Sequence, residues 1–402
     1  MQRTALATPL WVLAFAAFAI VLSSPRALAT PECVPVAAWV MPDGKGGERL
    51  ANTAVIKTAA QRSVVLLGES HDSFEHHRWQ LQTVIALHAH RPRMVLAFEM
   101  FPKRVQPALD RWVAGELDEV EFLKASDWRT VWNFDPGLYL PIFHFARMNR
   151  IPMVALNVER GLTRQVTMQG LDKVPADQRE GVTRPAPASE PYVAMLHDAY
   201  LQHQPPDGGP KAKGKPTRSD PAFLRFVESQ QVWDRAMAQR IADALARDPG
   251  VLVVGLMGSG HLVHGHGLPH QLRDLGVKDV AWFLPWDRDK ACGMLVAGIA
   301  DAVFGVAAPA SNIRVRPRLG VLLEPGEAGI RVRQVETGSL AEAAGLREGD
   351  SIVEIAGVRA QQAADVSEVV QRQPAGTWLP MKVTRQGEPI DIVAKFPAAA
   401  PK

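Results

Sequence analysis

The chain has 402 residues, 47% hydrophobic and 22% charged, which is enough for two domains with cores of their own at roughly 100–200 residues each. Its formal charge of +3 falls to +1 when the first 29 residues are set aside, because they hold Arg3 and Arg26 and no acidic side chain. A balance so close to neutral excludes nucleic acid as a main partner, since binding a phosphate backbone needs a basic surface.

At the amino end, Arg3 precedes the apolar run LWVLAFAAFAIVL (10–22), and Ala27-Leu28-Ala29 follows as a cleavage-type tripeptide. This is the pattern of a signal peptide cleaved near Ala29, so the mature chain is expected to be exported, periplasmic or envelope-associated. The alternative, an uncleaved anchor, asks for ~20 apolar residues, and the run is shorter. Cys33 follows Pro31-Glu32 instead of small residues, so a lipoprotein is not expected. Cys33 and Cys292 are the only cysteines, and in an oxidising compartment they form one disulfide or stay as two thiols.

Residues 30–60 read as an N-terminal extension, irregular apart from a helix near NTAVIKTAAQ. Then short apolar runs alternate with helical patterns: VVLLG (64–68), RMVLAFE (93–99), IPMVALN (151–157), GVLVVGLMGSG (250–260) and, as a last strand, VKDVAWFLPW (277–286). Such runs, bounded by Gly and Pro and separated by helices, predict an α/β domain over 61–308, a parallel sheet flanked by helices and buried on both faces. HQPPDGGPKAKGKPTRSDP (203–221) is too rich in Pro, Gly and Lys to bury itself and reads as a mobile insertion. GMLVAGIADAVFGVAA (293–308) reads as a packed helix or strand pair, and 309–318 as a linker to a small β-rich domain at 319–397.

In open α/β sheets ligands bind beyond the carboxyl ends of the strands. Those ends carry Gly68-Glu69-Ser70-His71-Asp72, then Glu99, Asn157 and Gly258-Ser259-Gly260-His261. Glu69 and His71 are two apart, so in extended backbone they point to one side. Glu69, His71, Glu99 and His261 together suit a divalent metal or a general acid/base set, as in a metal-dependent esterase or peptidase. The competing reading makes them helix caps and internal salt bridges. His76 and His77 read as a solvated helix face, and His264 and His266 as axial or metal ligands or inert loop histidines. Ser70 lacks the closing glycine of a nucleophile elbow.

The pieces LLGESHD, LAFEMF, WNFDPGLYLPIFHFAR, IPMVALNVER, SQQVWDRAMAQRIA and GSGHLVHGHGLP occur in this order over about residues 60–285. Together they resemble the ChaN-like haem-binding family of the wider TIKI and erythromycin-esterase superfamily. The resemblance implies an α/β fold and haem as the favoured cofactor, with a divalent metal as the alternative. Family members ligate haem through a tyrosine, with a histidine from a partner subunit, which admits a homodimer here. Tyr139 lies in the matching piece and is the implied ligand, with His71, Asn157 and His264 as further haem-site candidates. Superfamily peptidases use Gly-x-x-His elements like Gly258–His261.

RPRLGVLL and VRQVETGSLAEAAGLREGDSIVEIAGV (332–358) resemble a PDZ domain of the bacterial envelope-protease type. Leu319, Gly320 and Val321 then form the loop that holds a peptide carboxylate, and the helix DVSEVVQRQ (365–373) lines the groove with Val366. The expected partners are haem or another small ligand, and a C-terminal peptide or envelope protein.

Overall fold

The structure is a computed structural model and describes residues 33–202, 216–308, 317–327 and 329–398. The expected signal peptide, most of the insertion and most of the linker lie outside the described residues. The chain divides into two compact units, 1–308 and 309–402.

The first unit is built on eight strands: β1 Trp39–Met41, β2 Glu48–Leu50, β3 Val64–Glu69, β4 Met94–Pro102, β5 Met153–Asn157, β6 Leu252–Gly258, β7 Val280–Asp287 and β8 Ala302–Val306. Their order across the sheet is β2-β1-β8-β7-β3-β6-β4-β5, with β3 to β8 mutually parallel. β1 runs antiparallel to both β8 and β2. Residues 30–60 therefore do more than extend the chain, because they close one edge of a mixed sheet. The 277–286 run is also not the last strand, since 293–308 supplies β8.

Continuous apolar strands follow from burial on both faces. In β3, Val65 and Leu67 enter the core beneath the helices Phe74–His90 and Leu140–Met148, while Val64 and Leu66 enter the core under the helix Pro221–Arg247. The first of these cores is aromatic, with Phe98, Phe101, Trp112, Phe122 and Phe143 meeting edge to face or tilted. The two layers leave β3, β6, β4 and β5 as neighbours with their carboxyl ends side by side.

Cys33 and Cys292 form a disulfide, with Cα atoms 5.6 Å apart, that ties the segment entering β1 to the loop between β7 and β8. Denatured, unreduced protein is expected to show no free thiol, and a count of two would refute the bridge. Its removal in Cys33→Ser/Cys292→Ser should lower stability by about 2–4 kcal/mol in urea unfolding.

The second unit is an antiparallel sheet of β9 Val321–Gly326, β10 Gly329–Val335, β11 Ser351–Ile355, β12 Val358–Arg359, β13 Trp378–Arg385 and β14 Glu388–Lys395. The order is β14-β13-β11-β10-β9, with β12 on β11. Alternate residues of β13, Leu379, Met381 and Val383, point into a core shared with Val366 and Val370 of the helix Ala363–Gln371. Asp350, buried, receives a two-pronged hydrogen bond from Arg385 at 2.7 and 2.8 Å.

Candidate functional site

The strand ends do converge. Glu69 closes β3, Glu99 lies in β4 three residues before its end, Asn157 closes β5, and Gly258 at the end of β6 leads into His261. Glu69 Oε1 accepts from His71 Nδ1 at 2.6 Å. Glu99 Oε2 accepts from the Gly258 N–H at 2.6 Å, and Asn157 Nδ2 donates to the Glu99 carbonyl at 2.9 Å. A Cβ on Gly258 would fall 3.0 Å from His71 Cε1, tighter than ordinary contact, so only glycine lets β6 pass this close to the imidazole.

Around these groups lies a set of residues that the sequence reading missed. Asp234, fully buried midway along the helix Pro221–Arg247, accepts from His261 Nδ1 at 2.6 Å and from the Tyr192 hydroxyl at 2.6 Å. His76 and His77 are not solvated: both are buried because their helix face packs on the end of β3. His76 accepts the Ser70 N–H on Nδ1 at 2.9 Å and donates from Nε2 to Asp287 at 3.1 Å, pinning the loop that carries His71. His77 Nε2 donates to the His71 carbonyl at 3.2 Å. Gln80 donates to the carbonyls of Leu67 and Gly68.

Burial dominates the electrostatics and the local partners decide its outcome. It disfavours the charged form of His261, but Glu99 and Asp234 on either side outweigh it and raise the pKa to about 10. Burial likewise works against the Glu99 carboxylate, and His261, His71 and the Gly258 N–H overcome it and hold Glu99 below the usual range. Glu69 goes the other way: burial pushes its carboxyl up despite the hydrogen bond from His71. Burial lowers His71, yet the hydrogen bond and charge of Glu69 leave it above the usual value. His77 is pushed down to about 4, chiefly by burial, and is neutral.

Glu69, His71 and Glu99 bring one ligand atom each within 4.8 Å of one another, a donor set of nitrogen and carboxylate oxygens that suits a divalent cation. Glu69 Oε2 and Glu99 Oε1 are buried without a hydrogen-bond partner. The expected fourth member does not join them as a ligand. His261 has Asp234 on Nδ1 at 2.6 Å, and its other nitrogen faces Glu99 Oε1 at 3.5 Å, a contact too long for a good hydrogen bond, so its two carboxylate neighbours favour the protonated ring.

The haem-ligand candidates separate. His71 is the site imidazole with access: its side chain is 32% exposed, Nδ1 is taken by Glu69, and its ring lies against Trp132 at 4.6 Å and Phe134 at 5.1 Å. Tyr139 is not placed to ligate. It is 1% exposed, its hydroxyl accepts from the Trp132 indole at 3.0 Å and donates to the His71 carbonyl at 3.2 Å, and burial raises its pKa. Asn157 holds the Glu99 backbone and accepts the Val158 N–H at 2.8 Å. His264 lies on a left-handed backbone turn with φ of 58° and meets His266, ring centres 5.4 Å apart, apart from the Glu69–His71–Glu99 group.

In the second unit, Gly320 sits at φ of +77°, and a Cβ there would lie 2.3 Å from the Ser339 Cβ, so the loop before β9 requires glycine. Leu319 and Val366 are core residues, 4% and 1% exposed, and do not line a surface groove, whereas Val321 and Val369 are only partly buried. β9 is an edge strand, as is β14, and an edge is the position at which a peptide adds as a further strand.

Fold and site define an α/β protein on a mixed, mainly parallel sheet with buried carboxylate–imidazole pairs at its strand ends, joined to a small antiparallel domain. The family described as haem-binding uptake, Tiki superfamily, ChaN matches residues 55–272, just over half of the chain, and the chain belongs to it. A PDZ domain matches residues 331–385. Among solved structures, one described as cofacial heme binding to ChaN of Campylobacter jejuni is 18% identical with a TM-score of 0.48, covering 67% of this chain and 98% of that one. The HtrA-type protease AlgW with a decapeptide is 25% identical with a TM-score of 0.20, covering 22% of this chain and 30% of that one. The HtrA3 PDZ domain bound to a phage-derived ligand is 19% identical with a TM-score of 0.18, covering 20% and 83%. No curated protein matches the chain.

Proposed function

We propose that this is an exported haem-binding protein in which His71 provides the nitrogen for iron and the PDZ domain recruits a peptide tail. Membership of a haem-binding family supports haem as the ligand class, and the partly exposed His71 imidazole, with its Nδ1 held by Glu69, is the observation that carries the assignment to this site. Haem would bring an iron that takes an imidazole nitrogen and a flat apolar ring. Glu69 accepts the Nδ1 proton of His71, which fixes the tautomer, makes Nε2 the nitrogen without a hydrogen bond, and raises its basicity. Trp132 and Phe134 beside the imidazole supply apolar ring faces. Tyr139 and His77 both hold the His71 carbonyl, so they position the ligand without touching it.

Export is supported by the signal-type amino end and by the disulfide, which suits an oxidising compartment. Peptide recruitment is supported by the edge strand β9 and the glycine turn before it.

Adding haemin to the purified mature protein is expected to give a saturable Soret shift. In His71→Ala the affinity should fall tenfold or more, while Tyr139→Phe, which loses one hydrogen bond to a backbone carbonyl, should keep most of it. No saturable shift in the wild-type protein would end the haem reading, and an unchanged titration in a folded His71→Ala variant would remove His71 from it.

A further inference from the structure

In the second unit, the edge that β9 offers to a peptide is shorter than β9 itself. Along a strand in an antiparallel pair, the backbone N–H and C=O groups point alternately towards the partner and away from it. The Glu336 N–H donates to the Gly320 carbonyl at 2.9 Å. Gly320, Leu322 and Glu324 therefore turn their polar backbone towards β10, and Val321, Leu323 and Pro325 turn theirs outward. The register shift between Val332 and Gln334 places its extra residue in β10, so the alternation along β9 is unbroken.

Pro325 interrupts that outward edge. It has no N–H, and its ring carbon stands where the outward hydrogen would be, so an added strand loses a donor there and is held off by the ring. Its place in the outward set agrees with the alternation, because a strand tolerates proline where the nitrogen faces away from the ladder. At the other end, Gly320 at φ of +77° takes the chain out of the strand. Between these limits, Val321 and Leu323 carry an outward donor and an outward acceptor each. Their side chains pack against the core of the unit, while Leu322 between them is 49% exposed.

A tail with its carboxylate in the loop at Gly320 runs antiparallel to β9. Its last residue then lies opposite Val321, the third from last opposite Leu323, and the fifth from last meets Pro325. We infer that Pro325 sets the length of partner that is bound: the edge pairs with about the last four residues of a free C-terminal tail and turns away the chain before them. An internal strand, or β9 of a second copy, finds too few ladder groups between Gly320 and Pro325 to pair. The inference rests on the peptide-recruitment reading and goes further, because it states how much of the partner is held and which residue decides it.

The test pans the full mature chain against a phage library that displays about eight random residues at a free C terminus, and the selected tail is synthesised at about four, six and eight residues. The wild-type protein should show preferences at the last four positions and none before them, and the three peptides should bind within about twofold of one another. Pro325→Ala restores the outward N–H, so its six-residue tail should bind about three- to tenfold more tightly than its four-residue tail, the worth of one backbone hydrogen bond. The four-residue tail should keep its wild-type affinity in the variant, which also shows that the unit is folded. A wild-type six-residue tail that gains about threefold or more over the four-residue one would overturn the inference, as would a Pro325→Ala variant with the wild-type length dependence. A library that yields no selected tail would end the peptide reading itself, and the inference with it.

Discussion

Replacing Asp234 by alanine is expected to lower the stability of the α/β unit by about 3–5 kcal/mol, the usual cost of stripping one partner from a buried ion pair. Asp234 is fully buried and is the hydrogen-bond partner of the His261 imidazolium and of the Tyr192 hydroxyl at once. Its loss leaves the imidazolium with Glu99 at 3.5 Å and the tyrosine hydroxyl unpaired in a dry interior. Asp234→Asn keeps the volume and removes the charge, and an amide oxygen serves His261 or Tyr192 but not both, so the loss should be smaller, about 1–3 kcal/mol. His261→Gln combined with Asp234→Asn removes both charges, and the double variant should be more stable than the sum of the two single losses predicts. Urea unfolding followed by the fluorescence of Trp79, Trp112 and Trp286, all in this unit, measures each variant. If Asp234→Ala stays within about 1 kcal/mol of wild type, the imidazolium is not held as described.

Asp234 also marks where sequence reading stops. Glu69, Glu99 and His261 were legible because each ends an apolar run, and a polar residue at the end of a buried strand has few roles other than capping or a site. Asp234 sits in the middle of a 27-residue amphipathic helix, where a carboxylate normally reads as part of a solvated face. Its meaning comes from His261, 27 residues away, and Tyr192, 42 away, and neither separation leaves a local pattern. The same reason hides His76, whose partner Asp287 is 211 residues distant. Tyr139 failed in the opposite sense. An aromatic-rich stretch does not say which ring faces the site and which lies under it, and here the phenol lies under it, holding the backbone of His71. β1 and β2 escaped because three-residue strands carry too little alternation to register, and β8 was left between helix and strand because Gly305 and the preceding glycines obscure a five-residue run. The parallel layer, the two-domain division and the strand-end rim were readable, while the charge network beneath the rim exists only in three dimensions.

The same network fixes how stability responds to pH. His261 has its pKa raised to about 10 in the folded chain, against about 6.5 for an unperturbed histidine. A raised histidine contributes stability that is fully present below its unfolded pKa and is lost as pH rises through the folded value. The loss therefore spans about pH 6.5 to 10, with a slope approaching 1.4 kcal/mol per pH unit for one proton. His71, also raised, adds loss in the same direction just above the ordinary histidine range. Glu69, whose carboxyl is pushed up by burial, withdraws stability as pH climbs above the ordinary carboxylate range. Glu99 has the opposite sign: its carboxyl is depressed, so its contribution is present above the ordinary value and is lost only as pH falls through the lower folded one. His77, pushed down to about 4, acts on the acid side, where it withdraws stability as pH falls below about 6.5, so the chain is expected to be most stable at about pH 6 to 7 and to weaken steadily from neutrality towards pH 10. Unfolding free energies measured across that range should fall in the wild-type protein and flatten in His261→Gln, because the variant has no proton to lose at this position. Parallel slopes for the two proteins would mean that His261 is neutral in the folded chain, and the ion pairs with Asp234 and Glu99 would then have no charge to bind.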